Sequence, residues 1–193
     1  MKRLINPFRY VAGGRALLWG LAVIALETAW LYGIGFIQNS YLHFTAAPPD
    51  DTLLKIASMQ LAMWLAPALL LGLCGLLLSR SKIRLIDILG TTALAQAPLL
   101  LLLLTLSLSV NSLNDTLTAA AEAARNGDMQ ELPMTLLIVY GLWSLAVLAL
   151  FYIRNYQAFS VSCNLHGWRA VVPYIAVVLT VTVISQYIHP LLF

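Results

Sequence analysis

Charge is what this chain has least of. Only 10% of its 193 residues are Asp, Glu, Lys or Arg, and 61% are hydrophobic, whereas a soluble domain carries about 25% charged residues. That balance excludes a soluble globule. Cysteine is also scarce: Cys74 and Cys163 lie too far apart in sequence for a CxxC metal or redox pair, and they imply no disulfide framework. The three histidines, His43, His166 and His189, fall in different connections or span ends, without HExxH or paired-His spacing. No GxSxG elbow is present, no two carboxylates share a helix face at depth, and Gly13-Gly14 is not followed by the GK[ST] of a phosphate loop. The expectation is a protein that is not an enzyme and has no cofactor. A net charge of +3 does not indicate nucleic acid, because the basic residues sit in short turns between apolar segments and form no duplex-sized patch.

What the chain does have is long apolar runs. Five of them, Ala16–Ile37, Ile56–Leu78, Ile88–Val110, Met134–Ile153 and Ala170–Ile188, are each long enough to cross about 30 Å of hydrocarbon at about 1.5 Å per residue. The predicted fold class is all-α, a polytopic membrane bundle of five transmembrane helices. A short N-terminal segment, 1–15, precedes a single membrane domain, 16–193. Lys2 and Arg3 ahead of the first run resemble a secretory signal, but the run exceeds the roughly 7–15 residues of a signal core and is read as retained. With the N-terminus inside, Lys2, Arg3, Arg9, Arg15, Arg80, Lys82, Arg84, Arg154 and Arg169 lie inside, and only Lys55 and Arg125 outside. That asymmetry predicts a cytoplasmic N-terminus and an external C-terminus. A bacterial cytoplasmic membrane is the expected location.

The outer connections are distinctive. In the first, Pro48-Pro49-Asp50-Asp51 breaks any helix, and Asp51 or Thr52 is placed to cap the next. In the second, the Ala-rich stretch Thr116–Arg125 reads as a helix ended by Asn126-Gly127.

One formal charge falls well inside a span, Glu27. A carboxylate at that depth costs about 2.5–3.5 kcal/mol or more, so it should face the bundle interior and be hydrogen-bonded or protonated. Counting from the inner helix ends puts Gln96 and Ser144 within about one turn of its height. Pro67 and Pro98 fall near the same level, and broken helices meeting at the midplane mark transporter sites. The plainer reading is a neutral acid in a structural interhelical hydrogen bond, with prolines tolerated because neighbouring helices satisfy the freed backbone. On the inner side, Phe8 and Tyr10 between basic residues suit the headgroup region. Arg80, Lys82 and Arg84 form a basic turn, and Asp87 is expected to cap the third helix or pair with Arg84. Small residues at Gly20, Gly33 and Gly35 would allow close packing in a homo-oligomer.

Two stretches, IDILGTTALAQAPLLL and YGLWSLAVLALFYIRNYQAFSVSCNLHGWRAVVPYIAVVL, carry a resemblance. A proline-bearing third helix, a Trp-containing fourth helix and a polar inner loop ending at Gly167 and Arg169 resemble the membrane domain of the Yip family, the Ypt/Rab-interacting multi-span proteins, from about Asn6 onward. The resemblance implies a five-span fold without catalytic residues. Eukaryotic members carry a longer cytosolic N-terminal region and act as membrane recruiters of prenylated Rab GTPases; the short N-terminal segment here is more similar to prokaryotic members, whose activity is generally unassigned. The resulting expectation is an interaction or membrane-organising protein. Its partners would be the lipid bilayer and a membrane or cytosolic protein, with an inner face formed by Arg80, Lys82, Arg84, Arg154 and Arg169. The alternative is a small proton-linked or solute transporter built around Glu27, Gln96, Pro67 and Pro98.

Overall fold

A computed structural model describes residues 8, 10–40, 43–48, 50–79, 81–108, 125 and 134–192. Helix α1 spans Gly13–Ile34 and is followed by the strands β1, Phe36–Ser40, and β2, His43–Ala46. Then come α2, Leu53–Leu78, and α3, Leu85–Leu94, with a further helical run over 98–108, here α4. The chain closes with α5, Met134–Ser162, and α6, Trp168–Leu192. Taking Leu85–Leu108 as one broken span, five helices among the described residues are long and apolar enough to cross a membrane. Their outward faces agree with that. Leu61, Leu65, Leu69, Leu73 and Leu76 form an exposed stripe on α2, larger than a soluble monomer leaves in water.

The expected all-α bundle is present, with four adjustments. First, α1 stops at Ile34 because Gly35 takes a left-handed C-cap (φ 69°) and donates its N–H to Tyr32 O and Leu31 O, a conformation that glycine adopts without the Cβ penalty. Ile37 therefore belongs to a small antiparallel hairpin, in which Phe36 pairs with Ala46 and Ile37 with Thr45. Its apolar side covers Leu31, Ile56, Met59 and Leu103. Second, the chain after this hairpin enters α2 three residues earlier than expected. Thr52 caps it by accepting from the Lys55 N–H, and Asp51 holds the Lys55 ammonium at 2.5 Å. Third, the third span breaks at Ala95–Ala97, where the backbone bonds become i→i−3 (Gln96 N to Ala93 O, Ala97 N to Leu94 O) before Pro98 restarts the helix. Fourth, α5 runs nine residues beyond Ile153. The Ala-rich outer stretch Thr116–Arg125 lies outside the described residues except Arg125, as does Arg80.

A backbone-to-backbone approach joins two helices that are not neighbours in sequence. An added Cβ at Gly20 of α1 would lie 2.4 Å from Ala93 Cβ and 2.6 Å from Leu94 N, and one at Gly90 of α3 would lie 2.7 Å from Leu17 N. Small residues let two membrane helices approach backbone to backbone, where packing rather than the hydrophobic effect drives association. Polar tips of large aromatics tie the remaining helices together. Trp30 donates to Ser107 Oγ at 2.8 Å, Trp143 to Thr105 Oγ1 at 2.7 Å, and Tyr174 to Tyr152 O at 2.8 Å.

Candidate functional site

The buried face of α1 is the row Ala16, Gly20, Ile24, Glu27, Thr28 and Leu31, spaced three or four residues apart as one side of a helix requires. Glu27 on that row is fully buried. Its partner is Gln60 of α2, whose Nε2 donates to Glu27 Oε2 at 2.9 Å. Neither Gln96 nor Ser144 bonds to it. Gln96 is buried, but it sits in the break of the third span. The proline expectation also changes. Pro67 lies inside a continuous α2, seven residues and about 10 Å from Gln60 along the helix, whereas Pro98 does mark an interruption.

The acid–amide pair is incompletely satisfied. Glu27 Oε1 and Gln60 Oε1 are both buried with no hydrogen-bond partner among the described residues. An ionised carboxylate can only accept, so it offers nothing to the amide oxygen. A protonated carboxyl would carry an O–H donor, which the ionised form lacks. From Gln60 the polar groups continue toward α3. Trp64, one turn away, donates to Thr92 Oγ1 at 3.3 Å, and Thr91 shares a 2.7 Å hydroxyl contact with Ser162 of α5. A seam of side-chain hydroxyls, an indole, an amide and a carboxyl thus crosses α1, α2, α3 and α5.

The end of the bundle opposite the hairpin carries exposed cations: Arg15, Lys82, Arg84 and Arg169 are all solvent-accessible. Here a cleft of about 460 Å³ is lined by Leu78, Ser79, Ser81, Asn164, Leu165, His166 and Arg169. Arg169 stands in the first turn of α6. Arg154 does not belong to this face: it lies within α5, eight residues before its end. It lines an apolar groove of about 370 Å³ together with Phe8, Leu94, Ala97, Pro98, Leu101 and Leu150. Phe8 is likewise not a headgroup anchor. It is 2% exposed and packs on Ala95 and Ala158. Asp87 sits in the first turn of α3 without an Arg84 ion pair; the Asp87 N–H donates to Arg84 O instead. Gly20, buried against Ala93, is not available to a second copy.

Cys163, just past α5, is buried against Gly75. Burial, aided by neighbouring Cys74, pushes its thiol up to about 12, which removes the thiolate that a nucleophile or metal ligand needs.

Five apolar spans, lipid-facing leucine stripes and a polar seam enclosed between helices define a multi-pass helical membrane protein. No family model, no curated protein and no solved structure matches the chain.

Proposed function

We propose that this protein works without catalysis, as an interaction or membrane-organising protein of the bacterial cytoplasmic membrane. Its cation-rich end faces the cytoplasm, and its five-span organisation is similar to that of prokaryotic Yip-type proteins. The observation that carries this reading is the contrast between the two polar regions. Glu27 is sealed between helices and engaged by Gln60, whereas the cleft at the basic end opens outward with His166 and Arg169 exposed. The direct test is crosslinking in intact membranes followed by purification in mild detergent and mass spectrometry. A specific membrane or cytosolic partner, lost when Lys82, Arg84 and Arg169 are replaced together by alanine, is the expected result. Repeated recovery of the protein alone would count against it.

Orientation has its own test. Lys82→Cys and Asp128→Cys, read against the native protein as blank, should respond oppositely to an impermeant maleimide on intact cells. Labelling is expected at Asp128→Cys only, and labelling of Lys82→Cys from outside would reverse the topology.

The unpartnered Glu27 and Gln60 oxygens favour a second reading, proton-linked transport, because a carboxyl that gains or loses a proton would make or break a contact between α1 and α2. Glu27→Gln separates the two. On the interaction reading the variant folds and recovers its partner, since an amide and a neutral acid hydrogen-bond alike. Loss of pH-dependent uptake in proteoliposomes with an unchanged fold would support transport instead.

A further inference from the structure

The basic-end cleft has the makings of a ligand site, and the chemistry of its walls says which kind. Its polar groups are two serine hydroxyls, which share one hydrogen bond of 2.8 Å and so keep one free hydroxyl proton between them, an amide, an imidazole and a guanidinium: Ser79, Ser81, Asn164, His166 and Arg169. These are donors suited to a phosphate, with Arg able to engage two oxygens at once. Among the described residues, no carboxylate lines the cleft, the first turn of α6 holds no acidic residue, and Arg169 and His166 have no ion-pair partner. The α6 start adds backbone donors. Gly167 O takes up the N–H groups of Ala170 and Val171, so those of Trp168 and Arg169 precede the first helical bonds, at the positive end of the helix dipole. Lys82 and Arg84, exposed on the adjoining connection, add to a positive field that nothing in the cleft offsets.

The remaining walls are apolar, and this selects the source of the phosphate. Leu78 and Leu165 form part of the lining. Beside them Leu77 is 85% exposed at the end of α2 and Trp168 is 80% exposed at the start of α6. Exposed tryptophan and leucine where spans end mark the depth at which headgroups meet hydrocarbon. A soluble phosphate gains nothing from such a collar, whereas a phospholipid uses both halves. We infer that the cleft between the α2 end and the α5–α6 connection binds an anionic phospholipid of the adjacent leaflet, its phosphate held by Arg169, His166 and the Ser79–Ser81 hydroxyls and its glycerol end resting on Leu78 and Leu165. The inference rests on the reading of this end as the working surface and supplies the ligand class for it.

The test uses the purified protein in dodecyl maltoside, titrated with short-chain phosphatidylglycerol, short-chain phosphatidylcholine or inorganic phosphate, with binding read by native mass spectrometry. Phosphatidylglycerol is expected to bind at least tenfold more tightly than the other two. Arg169→Ala should weaken it about tenfold. Lys55→Ala, which removes the same charge at the hairpin end, should change it less than twofold. If Arg169→Ala does not elute as a folded species, Ser81→Asp, at an exposed position, decides in its place and should produce a similar loss. Equal binding of phosphatidylcholine, or phosphatidylglycerol binding unaffected by both cleft variants, would overturn the site. Inorganic phosphate binding as tightly as the lipid would overturn the lipid as its ligand. Partner recovery is measured separately, so loss of the lipid site and loss of the interaction reading give different results.

Discussion

Gly20→Ala is expected to destabilise the protein by about 2–3 kcal/mol, whereas Gly33→Ala, the same change on the same helix, should be neutral or stabilise by about 0.5–1 kcal/mol. The opposite signs follow from what each Cβ meets. At Gly20 it comes within 2.7 Å of two backbone atoms of α3, Leu94 N and Ala93 C, and within 2.4 Å of Ala93 Cβ, so no side-chain rotation relieves the clash and the helices must separate. At Gly33 no atom of the described residues lies within 4 Å, and only the backbone entropy of glycine changes. Gly90→Ala, 2.7 Å from Leu17 N and 2.8 Å from Gly13 O, should cost as much as Gly20→Ala. The double variant should cost less than the sum, because spreading α1 from α3 once makes room for both methyl groups. Thermal unfolding in detergent, followed by the fraction that stays monodisperse, reads all four variants. A Gly20→Ala protein as stable as the parent would mean that α1 and α3 are not in backbone contact.

Gln60→Leu is expected to cost about 1–3 kcal/mol, because it leaves both Glu27 oxygens buried without a partner. Glu27→Gln should cost less than about 1 kcal/mol, since the Gln60 amide keeps an oxygen to donate to. The pair Glu27→Leu with Gln60→Leu should recover most of the loss, as apolar side chains of similar size replace both halves of the bond. Recovery in the double variant is the diagnostic outcome. If its stability instead falls by the sum of the two single losses, the side chains are not coupled and the 2.9 Å contact carries no weight in the fold.

The spans were legible from sequence because leucine-rich runs of about twenty residues have one structural solution in a bilayer. Their ends were less so. Arg154 reads in sequence as the end of the fourth span, yet a long cationic side chain can lie along a helix flank with its aliphatic part against apolar neighbours, and α5 continues through it to Ser162. The hairpin is short, and its outer neighbours Gly33 and Gly35 were read as packing residues rather than as a helix stop. Depth in the first span points to Glu27, which is buried, but counting from the inner helix ends does not find Gln60, its partner. Glu27 stands seven residues before Ile34, and Gln60 stands seven after Leu53. Measured from the connection that α1 and α2 share, the two residues are level, and that arithmetic identifies Gln60. Which helix lies against which carries no comparable signal in five uniformly apolar segments, so the Gly20–Ala93 approach was not readable beforehand.

That approach sets an order for biogenesis. Glu27 and Gln60 are only 33 residues apart in the chain, so the first two spans can join as soon as the second has entered the bilayer. The groove at Gly20 must wait for Ala93, more than seventy residues downstream, which at about 5–20 residues per second is roughly 4–15 s of synthesis. Once α2 has entered, the α1–α2 pair, joined by the acid–amide contact and by apolar packing of Leu31 on Ile56 and Met59 and of Ile24 on Trp64, leaves Gly20 open to lipid until the third span arrives and converts a provisional pair into a committed trio. A lesion at Gln60 therefore acts early, on an insertion intermediate, and one at Gly20 acts late, on its capture.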